Sequence, residues 1–172
     1  MSEREEELRE RLAEGPDDPQ ATRELARLVG ERRDRKAEAV ELWQRHLTTV
    51  GPAERASALL ALGRAQVEAR REVEAIETLR RCTREAPDTP QAFELLAELS
   101  RRAGDLESAE EALRRAIELQ PGALQPQLAL VACLDELGRD DEAQEVLSNV
   151  RRIAAGDPAV AALLRELMHR RG

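Results

Sequence analysis

Residues Pro90–Pro121, PQAFELLAELSRRAGDLESAEEALRRAIELQP, carry the pattern on which the rest of the chain is written. Leu95, Leu96 and Leu99 recur at helical spacing before Ala103-Gly104-Asp105. Ala109, Ala112, Leu113, Ala116, Ile117 and Leu119 do so after it. The spacing predicts two short amphipathic helices joined by a turn. Gly104 stands where the first helix must stop, and Pro121 where the second cannot continue.

The pattern repeats. Counting Pro90 as position 1, it restarts at Leu124 and Pro158 in one direction and at Ala56 in the other, each a step of 34 residues. The leucine at position 7 returns as Leu62, Leu96, Leu130 and Leu164, the alanine at position 20 as Ala75, Ala109 and Ala143, and position 24 as Leu79, Leu113 and Leu147. One more unit starts at Pro19, with Leu25 and Ala26 in register. An extra residue in its turn puts Ala39 and Trp43 in the alanine and large-apolar places. Small residues such as Gly63, Ala75, Ala97, Ala109 and Ala143 let paired helices approach, and the leucines fill the space between hairpins. Each hairpin needs a neighbour to bury its other face.

A helical hairpin recurring every 34 residues resembles the tetratricopeptide repeat (TPR). The likeness rests on Phe93, Leu96-Ala97, Gly104-Asp105, Ala109, Leu113, Ala116 and Pro121 in the Pro90 unit. Leu62-Gly63, Ala75, Leu79 and Pro87 carry it in the Ala56 unit, and Leu130, Gly138, Ala143 and Leu147 in the Leu124 unit. Cys82 departs from the usual small alanine, Gln127 from the usual large residue at position 4, and Ala155 from the usual proline. The resemblance implies an all-α chain, a right-handed α-solenoid of TPR-like helical hairpins. It would run as a single array: an N-terminal half-repeat helix over 1–18, repeats over 19–55, 56–89, 90–123 and 124–157, and a capping helix over 158–172.

Local signals place the helices more closely. Ser2 followed by Glu5 fits a capping box opening a helix to about Glu14, with Leu8 and Leu12 inward. Further helices are expected over Pro19–Glu31, Arg35–Thr49, Ala53–Ala69, Leu124–Leu137 and Asp140–Ala154, with the polar run Glu31–Lys36 as a solvated turn. The corner Ala69-Arg70-Arg71 has no glycine, so a tighter or less regular turn is expected there. Asp157 reads as an N-cap and Pro158 as the first residue of the last helix.

Composition narrows the function. Charged residues make up 36% and apolar ones 41% of the 172 residues, which suits thin helical layers with a large solvated surface. Trp43 and Phe93 are the only aromatic residues, so stacking platforms for bases are absent, and a net charge of −8 disfavours nucleic acid as a partner. Only Lys36 among the 27 basic residues is lysine, which leaves lysine-based covalent chemistry without material. Cys82 and Cys133 fall at inward positions of different hairpins and read as buried thiols. The charged start MSEREEELRERL is unlike a signal peptide, and no stretch approaches a membrane span, so a cytoplasmic setting, as in a bacterial-like adaptor, and no membrane partner are expected.

Nothing in the pattern reads as chemistry. His46 takes the normally small position 27 of the Pro19 unit without a second ligand at metal spacing, and His169 lies near the chain end. Carboxylate pairs such as Asp140-Asp141 and Glu110-Glu111 sit at helix starts or outer faces. No nucleophile is paired with a base, and no glycine-rich phosphate loop occurs. No catalytic residue, metal or cofactor is expected.

Binding is the better-supported class. In TPR proteins the first helices of successive repeats line a concave groove. Carried onto this sequence, its floor would hold Arg23, Arg27, Leu60, Arg64, Val67, Leu95, Glu98, Arg101, Leu128, Ala132 and Asp135. The cations gather toward the N-terminal side, and Leu60, Val67, Leu95 and Leu128 form an apolar stripe. Such a floor suits a peptide with alternating apolar and charged residues, although the same leucines could simply fill gaps between neighbouring first helices. The chaperone-tail carboxylate clamp does not fit, because Arg23, Arg27, Ala61, Gln91 and Leu95 stand at its lysine, asparagine and arginine places. The expected function is a non-enzymatic adaptor or scaffold for a protein or peptide ligand, as a monomer or weak homo-oligomer. The alternatives are a chaperone resembling those of type III secretion and a structural self-assembly unit.

Overall fold

The structure is a computed structural model, and it describes residues 2–154. The closing helix expected over 158–172, with its N-cap Asp157 and with Leu164 and His169, lies outside the described residues. Among those described, every regular element is helical. In chain order they are α1 (Glu3–Glu14), α2 (Pro19–Gly30), a 3-10 turn (Arg33–Arg35), α3 (Lys36–Thr49), α4 (Pro52–Glu68), α5 (Glu72–Glu85), α6 (Pro90–Arg102), α7 (Leu106–Leu119), α8 (Leu124–Glu136) and α9 (Asp140–Ala154). The chain divides within α6 into two compact units, one ending at Leu95 and one starting at Leu96.

In the first unit, consecutive helices from α1 to α5 pack side by side. Leu8 and Leu12 of α1, Ala21, Leu25 and Val29 of α2 and Ala39 of α3 form one buried cluster. Val40 of α3 joins Leu62 and Ala65 of α4 in a second, with Trp43 and Leu47 against it. Gly63 lets Leu79 of α5 seat directly on the α4 backbone: a Cβ there would meet Leu79 Cγ and Cδ2 at 2.9 Å. In the second unit, α8 packs against both α7 and α9. Ala109, Leu113 and Ala116, Leu130 and Leu134, and Ala143, Leu147 and Val150 are all buried there. Of these, Ala109 and Ala143, Leu113 and Leu147, and Leu130 stand at the alanine and leucine positions that the 34-residue step brings into register.

The helix ends follow from local chemistry. Asp18 Oδ1 accepts the backbone N–H groups of Gln20 and Ala21, each at 3.0 Å, with Pro19 as the first helical residue. Asp105 Oδ1 caps α7 by accepting the Ser108 N–H at 3.1 Å. Ser2 Oγ accepts the Glu5 N–H at 3.3 Å, but the capping box is only half made. Glu5 is instead buried, and its carboxylate is taken by Arg9 and Arg35. The stretch between α2 and α3, expected as a plain solvated turn, contains the 3-10 turn.

The corner without glycine proves regular. Arg70 adopts a left-handed φ of 62°, as Gly104 and Gly138 do at 81° and 71°. Its closing bonds also match. Arg71 N–H donates to Gln66 at 2.8 Å, as Asp105 does to Ser100 at 2.9 Å and Arg139 to Leu134 at 2.9 Å. The six-residue closure that satisfies orphan carbonyls at a helix end therefore overrides the preference of arginine for negative φ.

Candidate functional site

Helices α2, α3 and α4 enclose a cleft of about 590 Å³ in the first unit. Arg27 of α2 and Leu60 and Arg64 of α4 line it, with Trp43 of α3 between them. A neighbouring cleft of about 370 Å³ is lined by Arg23, Arg27 and the same Trp43. Trp43 is therefore shared by both. It is half-buried because its inner side packs on the cluster of Val40, Leu62 and Ala65, which leaves the rest of the ring facing the clefts.

His46 supports Trp43 from beneath. The two rings meet edge to face with centroids 5.5 Å apart, and His46 is only 2% exposed. Burial pushes its pKa below the ordinary value, a hydrogen bond with the Pro19 backbone opposes this, and the nearby Arg23 charge adds to the lowering. Its Nδ1 has no hydrogen-bond partner. The imidazole is accordingly neutral at neutral pH, as a packing residue should be.

The charges around the clefts do not cancel. Lys36 is committed to the Gly30 carbonyl and Glu68, and Glu24 to Arg4 at 2.7 and 2.9 Å. Arg23, Arg27 and Arg64 are exposed and form no ion pair among the described residues; of the lining carboxylates, Glu31 alone has no ion pair there. Exposed guanidinium groups of this kind attract carboxylates and exchange water readily.

The other residues expected on a groove floor lie on α4, α6 and α8. Val67 is half-buried on α4 but outside the lining of the 590 Å³ cleft, and Leu95 is half-buried on α6 at the end of the first unit. In the second unit Arg101 pairs with Glu136 at 2.8 Å and Glu98 lies 3.9 Å from Arg102. Leu128 and Asp135 are half-buried on α8, and Ala132 is exposed. So Arg23, Arg27, Leu60 and Arg64 come together, around a tryptophan that its repeat position marks only as a packing residue. Its signal in the sequence is that it is one of two aromatic residues and follows an arginine-bearing helix.

Cys82 and Cys133 are buried free thiols, each donating weakly to a carbonyl of the preceding helix, Ala56 at 3.5 Å and Leu106 at 3.3 Å. Burial raises both pKa values, so neither is a ready nucleophile. Among the described residues no cluster of three metal-ligating side chains forms, and no helix is long and apolar enough to cross a membrane.

Solved structures share this architecture. MamA superposes with a TM-score of 0.78 at 18% identity over 87% of this chain and 85% of that one. YrrB, described as a TPR protein with an unusual peptide-binding site, gives 0.70 at 19% identity over 95% and 84%. TTC0263, a thermophilic TPR protein in Thermus thermophilus, gives 0.66 at 20% identity over 94% and 87%. No curated protein has a sequence that matches this one. Two family models, both described as tetratricopeptide repeat, match residues 60–124 and 100–167. Hairpin after hairpin built on the same buried leucines and alanines, and those matches across most of its length, make this chain a member of the tetratricopeptide-repeat family.

Proposed function

We propose that the protein is a non-enzymatic interaction adaptor that binds a peptide segment of a partner protein in the cleft between α2, α3 and α4. The partner segment carries an apolar side chain that covers Trp43 and Leu60, and acidic groups that meet Arg23, Arg27 and Arg64. The observation that carries this reading is the cleft itself, where three uncompensated guanidinium groups surround a half-buried tryptophan. Exposed ion pairs are worth only about 0.2–1 kcal/mol each. The apolar anchor therefore supplies most of the affinity, and the arginines set register and association rate.

Trp43 is also the reporter. The chain has one tryptophan and no tyrosine, so its emission comes from the cleft alone. Titration with short peptides bearing a leucine or phenylalanine between acidic residues should shift that emission and saturate. Leu60→Asp, and separately Arg27→Glu with Arg64→Glu, should weaken binding at least tenfold, and salt should weaken it further. Unchanged binding of every peptide by the Leu60→Asp protein would remove the proposal.

A further inference from the structure

The second unit has its own cleft, on a different kind of surface. It occupies about 280 Å³ between α7 and α9, with α8 as its floor. Ile117, Leu130 and Val146 give it apolar walls. Gln127, at position 4 of this repeat where the repeat before has Phe93, is buried and also lines it. The Gln127 amide is held back along its own chain, donating to the carbonyls of Pro121 at 2.8 Å and Ala123 at 3.3 Å.

The charge at its rim is opposite to that of the first unit's cleft. Glu118, Glu142 and Glu145 line it against the single cation Arg114. Arg114 is already committed to Glu110 at 2.8 Å and Glu142 at 3.0 Å, and Glu118 is held by Arg115 at 2.6 Å. Glu145 is exposed and forms no ion pair among the described residues. A long side chain with an aliphatic stem and a cationic head fits both features: the stem covers apolar wall, and the head meets an unneutralised carboxylate.

We propose that this cleft is a second docking site, for a partner segment in which an arginine lays its stem along Ile117, Leu130 and Val146 and sets its guanidinium against Glu145, with Glu118, already shared with Arg115, beside it. The site is independent of the first unit's cleft and selects the opposite charge. The net charge of −8 favours encounter with such a basic segment.

The test is an NMR titration of the ¹⁵N-labelled protein with an acetylated, amidated peptide in which one arginine sits between two leucines. Saturable shifts at the amides of Ile117, Leu130, Glu145 and Val146, with Trp43 emission unchanged, are expected. The peptide with glutamate in place of arginine should leave those amides still. The double variant Glu118→Lys with Glu145→Lys alters two exposed side chains, and its own amide spectrum verifies that it folds; it should bind the arginine peptide at least tenfold more weakly. The absence of saturable shifts at these amides, or equal affinity of the double variant, overturns the proposal. Shifts that appear instead around Trp43 overturn it too, while leaving the reading of the first cleft to its own titration.

Discussion

Arg139, at the corner before α9, places Nη1 2.5 Å from Glu110 Oε2 on α7. Around that bond four alternating charges close into a ring. Arg139 also holds Glu142 at 2.7 Å, and Arg114 bridges Glu110 at 2.8 Å and Glu142 at 3.0 Å. The first unit contains the same ring. Arg35 holds Glu5 at 2.5 Å and Glu38 at 2.6 Å, and Arg9 holds Glu5 at 3.1 Å and Glu38 at 2.5 Å. In each, a Glu and an Arg four residues apart on one helix meet an Arg and a Glu three apart at the start of the second helix of the next hairpin. At α5 the pair Arg71 and Glu74 persists at 3.7 Å, but α3 offers Val40 and Gln44 in the matching places, so no ring can close.

The two rings should differ in strength because they differ in burial. The Glu5 side chain is 5% exposed and that of Glu110 13%. Glu5→Gln is expected to cost about 1.5–3 kcal/mol, the range for hydrogen bonds to charged groups, and to speed amide exchange in α1; Glu110→Gln should cost less. The Arg35 hydrogen bond first, then Arg9, holds the Glu5 carboxyl below the ordinary 4.5. Its folded pKa is depressed, so its contribution is whole above pH 4.5 and lost as the pH falls through the folded value. Urea denaturation with hydrogen exchange at pH 7 and pH 3 measures both effects.

Arg70 carries backbone strain that Gly104 and Gly138 avoid. Its φ of 62° costs an L-residue about 1–2 kcal/mol, so Arg70→Gly should stabilise the first unit by up to about 1 kcal/mol despite the greater freedom of glycine when unfolded. Gly104→Ala and Gly138→Ala should each destabilise by about 1 kcal/mol through the backbone alone, since an added Cβ meets nothing within 4 Å at either site. Opposite signs from these substitutions in thermal denaturation would separate backbone strain from contact effects.

That contrast shows what the sequence makes legible. Leu62, Leu96 and Leu130 could be aligned by a fixed step because each hairpin meets the same steric demand at the same place, and periodicity records that demand directly. Gly104 and Gly138 announce a left-handed residue; Arg70 reaches the same conformation because its neighbours close the same bonds, and arginine gives no local sign of it. Trp43 is assignable to packing, but which side of its ring stays uncovered depends on how α2 and α4 pack around α3, which no helical periodicity records. The rings join residues about thirty positions apart, beyond any local pattern.

Gly63 should tolerate no side chain. Because an added Cβ would lie 2.9 Å from two atoms of the fully buried Leu79, Gly63→Ala is expected to cost about 1–3 kcal/mol by overpacking. Leu79→Ala alone should cost about 2–5 kcal/mol, and the double variant less than the sum of the two, because the methyl group fills part of the space vacated. Gly122→Ala, where nothing lies within 4 Å, serves as the near-neutral control. Strict additivity in the double-mutant cycle would show that α4 and α5 do not meet through this pair.

His46 should give the fold a second acid-sensitive window, above that of Glu5. Its folded pKa lies below the ordinary 6.5 because burial disfavours the imidazolium, with Arg23 acting in the same direction and the Pro19 carbonyl and Glu54 opposing it. The unfolded chain therefore binds a proton that the native protein refuses. Stability is full above pH 6.5, declines as the pH falls from there toward the folded value, and levels off below it. Melting followed by Trp43 emission should show a lower Tm at pH 5.5 than at pH 7.5. The same comparison in His46→Leu should lose most of that difference while keeping the Glu5 transition at lower pH. If the variant and the wild type fell equally between pH 7.5 and 5.5, the proton would be going elsewhere, and His46 would be packing beneath Trp43 without any linkage to acid.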